Sequence, residues 1–435
     1  MTIAAGTLLL ILLLVLGVPI GFALGIAGAL SFLMVGDITA LTGLMTGVVH
    51  HTTANFVLLT IPMFVLMSEF LNAGGIAHDL MVACDRLMRG VRGGLAVACV
   101  LAGAVLAAAS GSSTASVATM VRSAYPTMKT LGYDPGFAIG TISIAGTLAI
   151  MIPPSIAMVV YGIITEESIG RLFMAGFLPG ILTAIGYIIT IWFCVWRNPK
   201  LVPDQEKLRK DREADDLIGK KREQGRVWPV GILIVVVLGC LYSGVATPTE
   251  VGAIGAIGAL AISLMMRRMT VRGLIDAVGN TARTTAMIVT IIFGAIIFGY
   301  FMAFSQATNT ILTWISASGL PPLAVLIAIL ILYILLGMVM DQFAIIVLTV
   351  PITYALIKGL GYDGIWYGIL IIKTAEIGLV TPPVGLNVFI ASAASGVPPG
   401  TGFRGVAPFV VTEIIILAIL VAFPEISLFL PNWLG

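Results

Sequence analysis

Apolar tracts about as long as a bilayer is thick follow one another along almost the entire chain. They fall at roughly 4–17, 19–35, 55–71, 94–129, 136–164, 172–196, 229–246, 249–266, 284–304, 322–358, 364–395 and 406–423. A helix needs about 20 apolar residues to span the hydrocarbon layer. The tracts 94–129 and 322–358 are long enough for two short helices each, with centres reading "ASGSSTAS" and "GMVMDQF". Both read as helical hairpins, either re-entrant or fully spanning. Composition agrees: 59% of residues are hydrophobic and 10% charged, with a mean hydropathy of +1.09. Soluble domains are about 25% charged, so few charges could not cover so much apolar surface in water. The runs are continuous rather than alternating, which argues against a transmembrane barrel. The expectation is an all-α polytopic membrane protein.

The segment 197–228 is the one long hydrophilic stretch, with ten of the chain's 23 basic residues against seven acids. It reads as a solvated linker, and its basic excess places it in the cytoplasm. Arg86, Arg89 and Arg92 form a second basic cluster, and Arg267, Arg268 and Arg272 a third. Threading the spans with an external N-terminus leaves all three clusters inside. "MTIAAGTLLL" lacks the basic region of a cleaved signal, so the first tract is expected to be a retained span. Cys84, Cys99, Cys194 and Cys240 lack metal-ligand spacing and read as packing residues. His50 and His51 are expected in an external loop, with no carboxylate spaced for zinc chemistry. Nothing matches G-x-x-x-x-G-K-[ST], which argues against ATP hydrolysis by this chain.

The two halves of the chain resemble each other. "YPTMKTLGYD" at 125–134 pairs with "YALIKGLGYD" at 354–363, an offset of 229 (Leu360 against Leu131). The same offset sets "MIPPSIAMVVYG" (151–162) on "VTPPVGLNVFIA" (380–391), Gly176 on Gly405 and Pro179 on Pro408. "GALSFLM" (28–34) and "GALAISLM" (258–265) match more loosely. The expected units are 1–196, a linker at 197–228, and 229–435. Each half crosses the membrane an odd number of times, five spans plus a hairpin, so the second must be inverted relative to the first. Inverted repeats with matched helix breaks are the pattern of secondary transporters.

Each half runs from a hairpin into a Pro-Pro break. A lone Pro-Pro can simply kink a helix for packing, and small hydroxyl residues also let membrane helices approach closely. Paired breaks, each behind a polar or flexible tip, point instead to ligand sites. Carbonyls at the end of a half-helix suit Na⁺, and amides at the start of the next suit a carboxylate. Hydroxyls of Ser110, Ser112, Ser113, Thr114, Ser155 and Thr381 can complete oxygen shells. Ionisable residues within spans are functional candidates. Asp341 at the second tip is foremost, and its partner at the 229 offset is Ser112. Asn387, just past the second break, can reach an ion or a substrate oxygen. Lys373 and Glu376, three apart, are expected to neutralise each other. Glu69 and Glu413 are expected near the interface, and Lys129 and Lys358 as snorkelling anchors at opposite faces.

"IPMFVLMSEFLNAGGI" (61–76), "ASGSSTASVATM" (109–120), "LAIMIPPSIAMVVYGIIT" (148–165) and "LVTPPVGLNVFIAS" (379–392) resemble the large membrane subunit of tripartite ATP-independent periplasmic (TRAP) transporters. The resemblance covers essentially the whole chain. It implies an elevator-type transporter in a bacterial inner membrane, driven by Na⁺. Such a system imports organic acids delivered by a periplasmic substrate-binding protein. It implies Na⁺ sites where hairpin tips meet broken helices: Ser110, Gly111 and Ser112 with Ile152 and Pro153, and Gly337 and Asp341 with Thr381, Pro382 and Gly385. The substrate would lie between the tips, near Ser113, Thr114, Ser155 and Asn387. A small four-helix membrane subunit is implied as a separate polypeptide, since no additional four-span block is present. A stand-alone Na⁺/dicarboxylate symporter, needing no binding protein, is the alternative. No catalytic constellation points to an enzyme, and the motifs do not name the acid.

Overall fold

The computed structural model describes residues 2–88, 90–204, 227–307, 309–311, 313 and 319–434. Among them are helices and turns but no strand. The first half contains α1 (Thr2–Val15), α2 (Ile20–Phe32), α3 (Ile38–Thr53), α4 (Thr60–Ala73) and α5 (Ile76–Leu87). It continues with α6 (Gly94–Ser110), α7 (Ser113–Leu131), α8 (Pro135–Met151), α9 (Ile156–Thr165) and α10 (Ile169–Arg197). The second half contains α11 (Trp228–Tyr242), α12 (Pro248–Met265), α13 (Val271–Phe304), α14 (Pro322–Gly337) and α15 (Gln342–Gly359). It ends with α16 (Gly364–Val380), α17 (Leu386–Ser395), α18 (Pro399–Ala422) and α19 (Glu425–Leu434). Seven helical stretches are long and apolar enough to cross a membrane by length and composition. One of these is Pro135–Thr165, which contains the first Pro-Pro break.

Helix boundaries follow local chemistry. In each half the LGYD motif ends one helix and starts the next. Gly132 and Gly361 take left-handed conformations at the ends of α7 and α15. Asp134 then caps α8 by accepting from the Phe137 N–H at 2.8 Å. Asp363 caps α16 by accepting from the Trp366 N–H at 2.9 Å. A carboxylate there satisfies an otherwise unpaired amide and complements the helix dipole. The motif is therefore a helix stop and start, repeated 229 residues later (Asp363 against Asp134).

Adding that 229-residue offset (Asp363 against Asp134) to α8 gives 364–380, the bounds of α16. Near-matches pair α6 with α14, α7 with α15, and α9 with α17. Packing follows the same rule. α2 lies against α13 as α4 lies against α12. The α6–α7 hairpin covers α8 as the α14–α15 hairpin covers α16. α7 packs on α17, and α15 on α9, so each hairpin's second arm reaches the opposite half's post-break helix. Asp134 N–H donates to the Leu201 carbonyl at 3.0 Å, just beyond the C-terminus of α10. Lys358 Nζ lies 3.9 Å from Glu167, just before the N-terminus of α10. The two LGYD motifs thus sit at opposite ends of one 29-residue helix, about 43 Å apart at 1.5 Å per residue.

Several expectations need correction. His50 and His51 belong to α3, a helix, rather than to an external loop. With the same offset α3 falls on the first turns of α13, which begins at Val271, well before the apolar tract at 284. The amphipathic α5 and the C-terminal α19 also escaped the hydropathy reading, because neither is long enough to span. Residues 205–226 of the expected linker, and Arg89 of the second basic cluster, lie outside the described residues. Arg268 is more than a loop charge. Its guanidinium grips Asp79 of α5 with Nη1 at 2.8 Å and Nη2 at 3.2 Å, clamping one half of the chain to the other.

Candidate functional site

The first hairpin turns through only Gly111 and Ser112, between α6 and α7. Gly111 has φ 59°, a left-handed backbone that L side chains resist. Its carbonyl accepts from the Ile156 N–H at 3.4 Å, so the tip is bonded to the backbone just past the break. A side chain at Gly111 would crowd the Pro154 carbonyl at 3.2 Å. Ile152 is the extended residue ending α8, and the Pro153–Pro154 bond is cis. Ser155 is buried and caps α9, accepting from the Met158 N–H at 3.4 Å. Ser110 Oγ and Ser116 Oγ are 2.5 Å apart, and Ser112 Oγ and Thr114 Oγ1 3.3 Å.

The second junction has the same plan with different chemistry. The tip runs from Met338 to Asp341 between α14 and α15. The Met338 carbonyl accepts from Val384 N–H at 3.2 Å and Gly385 N–H at 3.3 Å, again joining tip to break. Gly337 and Gly378 let α14 and α16 approach until a side-chain carbon on Gly337 would lie 2.9 Å from Gly378 Cα. Thr381 ends α16 and donates its hydroxyl to the Ile377 carbonyl at 2.5 Å. The Pro382–Pro383 bond is cis, and Gly385, with φ 55°, starts α17. Asp341 Oδ1 accepts from Phe343 N–H at 2.9 Å and Ala344 N–H at 3.2 Å. The carboxylate expected to hold an ion is therefore first of all the N-cap of α15. It also lines a cavity of about 820 Å³ between the second tip and α1, α2 and α13.

At each junction four helix ends converge: two C-termini, whose last carbonyls lack intrahelical partners, and two N-termini, whose first amides are capped in part by Ser155 and Asp341. A helix end carries roughly half a unit charge. Two C-termini together therefore match one monovalent cation, while the N-termini favour a carboxylate. The donor set is oxygen throughout, from carbonyls and hydroxyls, which suits a hard cation. Among the described residues no group of three or more His, Cys, Asp or Glu is arranged to hold a metal ion.

Ser110, Gly111, Ser112, Ile152, Pro153 and Ser155 thus gather at the first junction, and Gly337, Asp341, Thr381, Pro382 and Gly385 at the second. Ser113 and Asn387 come together across the halves. Asn387 Nδ2 donates to Ser113 Oγ at 2.5 Å, both residues fully buried. Asn387 Oδ1 is buried without a partner. Thr114 meets Ser112 rather than this pair.

Sequence reading missed a charged cluster one layer below the junctions. Lys373 Nζ contacts Thr183 Oγ1 at 2.9 Å, Glu376 Oε2 at 3.1 Å and Glu413 Oε2 at 2.7 Å. Tyr187, which is 3.0 Å from Thr147 Oγ1, donates its hydroxyl to Glu413 Oε1. Lys373, Glu376 and Glu413 are all 0% exposed. Glu413 is therefore not interfacial, and Lys373 has two acidic partners rather than one. The signal available was the presence of three charges in tracts of the second half that tolerate very few. Glu69, by contrast, is half-buried and accepts from Asn280 Nδ2 at 3.1 Å.

Paired hairpins seated in paired helix breaks, inside a polytopic α-helical bundle, define a membrane transporter architecture. The chain belongs to the family described as the tripartite ATP-independent periplasmic transporter, DctM component, whose profile matches residues 7–426. It is 36% identical over 414 residues to the C4-dicarboxylate TRAP transporter large permease protein DctM of Pseudomonas aeruginosa, covering 95% of this chain and 94% of that protein. It is 29% identical to the sialic acid TRAP transporter large permease protein SiaM of Vibrio cholerae, over 97% of this chain and 96% of that one. Its fold matches the crystal structure of the Alcanivorax borkumensis YdaH transporter with a TM-score of 0.68 at 14% identity, covering 92% and 90% of the two chains. The relatives are permeases rather than enzymes, and the chain is a TRAP large permease.

Proposed function

We propose that this chain imports an organic acid together with Na⁺ across a bacterial inner membrane. The acid arrives on a periplasmic substrate-binding protein, and a separate small four-helix membrane subunit completes the complex. In this reading the N-terminus is periplasmic and segment 197–228 cytoplasmic. The observation that carries the reading is the paired bonding of hairpin tip to helix break. Gly111 O meets Ile156 N–H at 3.4 Å, and Met338 O meets Val384 N–H at 3.2 Å. Each junction gathers enough oxygen donors for one Na⁺, and the space between the tips, near Ser113 and Asn387, receives the carboxylate. Two relatives named for acids as different as a C4-dicarboxylate and sialic acid support the class of substrate. The individual acid is set largely by the binding protein.

Ion binding drives uptake only if it favours the state that also binds the acid. Ordering the two tips against their breaks is such a state change. α6–α9 and α14–α17 would travel together as an elevator, while α2, α4, α12 and α13 stay as the scaffold. The test is reconstitution of this chain with its small subunit and binding protein in liposomes. Uptake of the bound acid should collapse when the Na⁺ gradient is removed; undiminished uptake would refute the coupling.

A further inference from the structure

The charges in the Lys373 cluster do not balance. One ammonium faces two carboxyl groups, with no exposure to solvent at any of the three. Lys373 Nζ donates to Thr183 Oγ1 and Glu376 Oε2 and lies 2.7 Å from Glu413 Oε2 as an ion pair. Glu413 has the Lys373 ammonium 2.7 Å from Oε2 and the Tyr187 hydroxyl on Oε1; its Oε2 is held by the ion pair and accepts no hydrogen bond. Glu376 is engaged only at Oε2, and its Oε1 is buried with no partner. Among the described residues, the helices packed against α16 that bring titratable groups to the cluster are α10 and α18, with Tyr187 and Glu413. Ionisable groups on the others bond elsewhere or face outward: Tyr161 to the Gly364 carbonyl, Tyr333 to Thr353, Tyr354 and Lys358 to Glu167, while Glu425 of α19 is exposed. α8 contributes Thr147, which is neutral, and α17 has no ionisable residue.

A buried carboxylate with no counter-charge is far more costly than a buried neutral carboxyl. The cluster therefore needs one more monovalent cation, and the open position is Glu376 Oε1. We infer that Glu376 is a proton-binding site, carrying one proton while the cluster is closed. The proton makes the cluster neutral: Lys373⁺ balanced by Glu413⁻, with Glu376 as the acid. Glu376 stands five residues before Thr381, which is about 7.5 Å along α16. Thr147 stands five before Ile152 on α8. The cluster thus bridges both pre-break helices, and a proton and the proposed cation would share one helix.

Infrared difference spectroscopy on the full chain in lipid at neutral pH tests this through the C=O stretch of a protonated carboxyl. The wild type should show such a band, and Glu376→Gln should lose it. Glu413→Gln should also lose it, since removing either negative charge lets Lys373 and the remaining carboxylate balance without a proton. Tyr187→Phe should leave the band where it is, because, of the two carboxyl groups, Tyr187 bonds Glu413, the ionised one. No band in the wild type, or one that persists in Glu376→Gln, overturns the site. A band that shifts in Tyr187→Phe places the proton on Glu413 and overturns the assignment.

Discussion

Single residues carry most of what is specific here, and the costs differ in kind. Gly385 holds φ 55°, and an added side-chain carbon would sit 2.6 Å from Phe403 Cε1. Left-handed backbone costs a side-chain-bearing residue about 1–2 kcal/mol. Gly385→Ala should lower the thermal midpoint and raise the Na⁺ concentration needed for half-maximal uptake; an unchanged Na⁺ dependence would detach Gly385 from the proposed ion site. Lys373 fails differently. Breaking a buried ion pair by removing one partner costs about 3–5 kcal/mol, so Lys373→Met should destabilise by that order. The loss should widen as pH rises. Without the ammonium both carboxyls must be protonated to stay buried, and the folded state then binds more protons than the unfolded one. Combining Lys373→Met with Glu376→Gln and Glu413→Gln should recover much of the stability and flatten the pH dependence. Thermal unfolding in detergent across a pH series checks both, and a pH-independent loss in the single variant would count against the charge accounting.

At the scale of elements, the proposed function requires certain helices to move as one body. α7 and α17 come from opposite halves, yet Asn387 and Ser113 tie them at 2.5 Å in a fully buried contact. A double-mutant cycle with Ser113→Ala and Asn387→Ala should give a coupling of roughly 0.5–3 kcal/mol in unfolding free energy. Strict additivity would mean that the two arms do not form one unit. The elements themselves were largely legible. The breaks expected at 152–155 and 381–385 are where the helices stop, because two prolines deny donors on any backbone. Spans longer than about 18 apolar residues announce themselves by hydropathy alone. α3, α5 and α19 did not, since a helix that need not span leaves no such length signal. Nor did the Lys373–Glu413 pair. Its members are 40 residues apart (413 against 373) on different helices, and only the packing of α16 on α18 brings them together. Asp341 was legible as an acid at a hairpin tip within an apolar tract, but its capping role depends on the backbone conformation that follows it.

For the whole molecule the central question is orientation, because an inverted pair places equivalent residues on opposite sides of the membrane. Lys129 and Lys358 are equivalent by the 229-residue offset (358 against 129), and both are exposed. Lys358 neighbours Glu167 at the N-terminal end of α10. Lys129 precedes the motif whose Asp134 meets Leu201 beyond the C-terminal end of that helix. A helix of 29 residues, about 43 Å long, is long enough to separate the two faces of a bilayer. In the proposed orientation the basic clusters face the cytoplasm, the side on which Lys and Arg are retained. With Cys84, Cys99, Cys194 and Cys240 first replaced, Lys358→Cys should react with a membrane-impermeant thiol reagent added to intact spheroplasts. Lys129→Cys should react only after the membrane is opened. Labelling of both from the outside would break the inversion, and with it the proposal that the two junctions are equivalent ion sites in oppositely oriented halves. Labelling of Lys129→Cys alone would keep the inversion but reverse the orientation, putting the proposed binding-protein face on the wrong side.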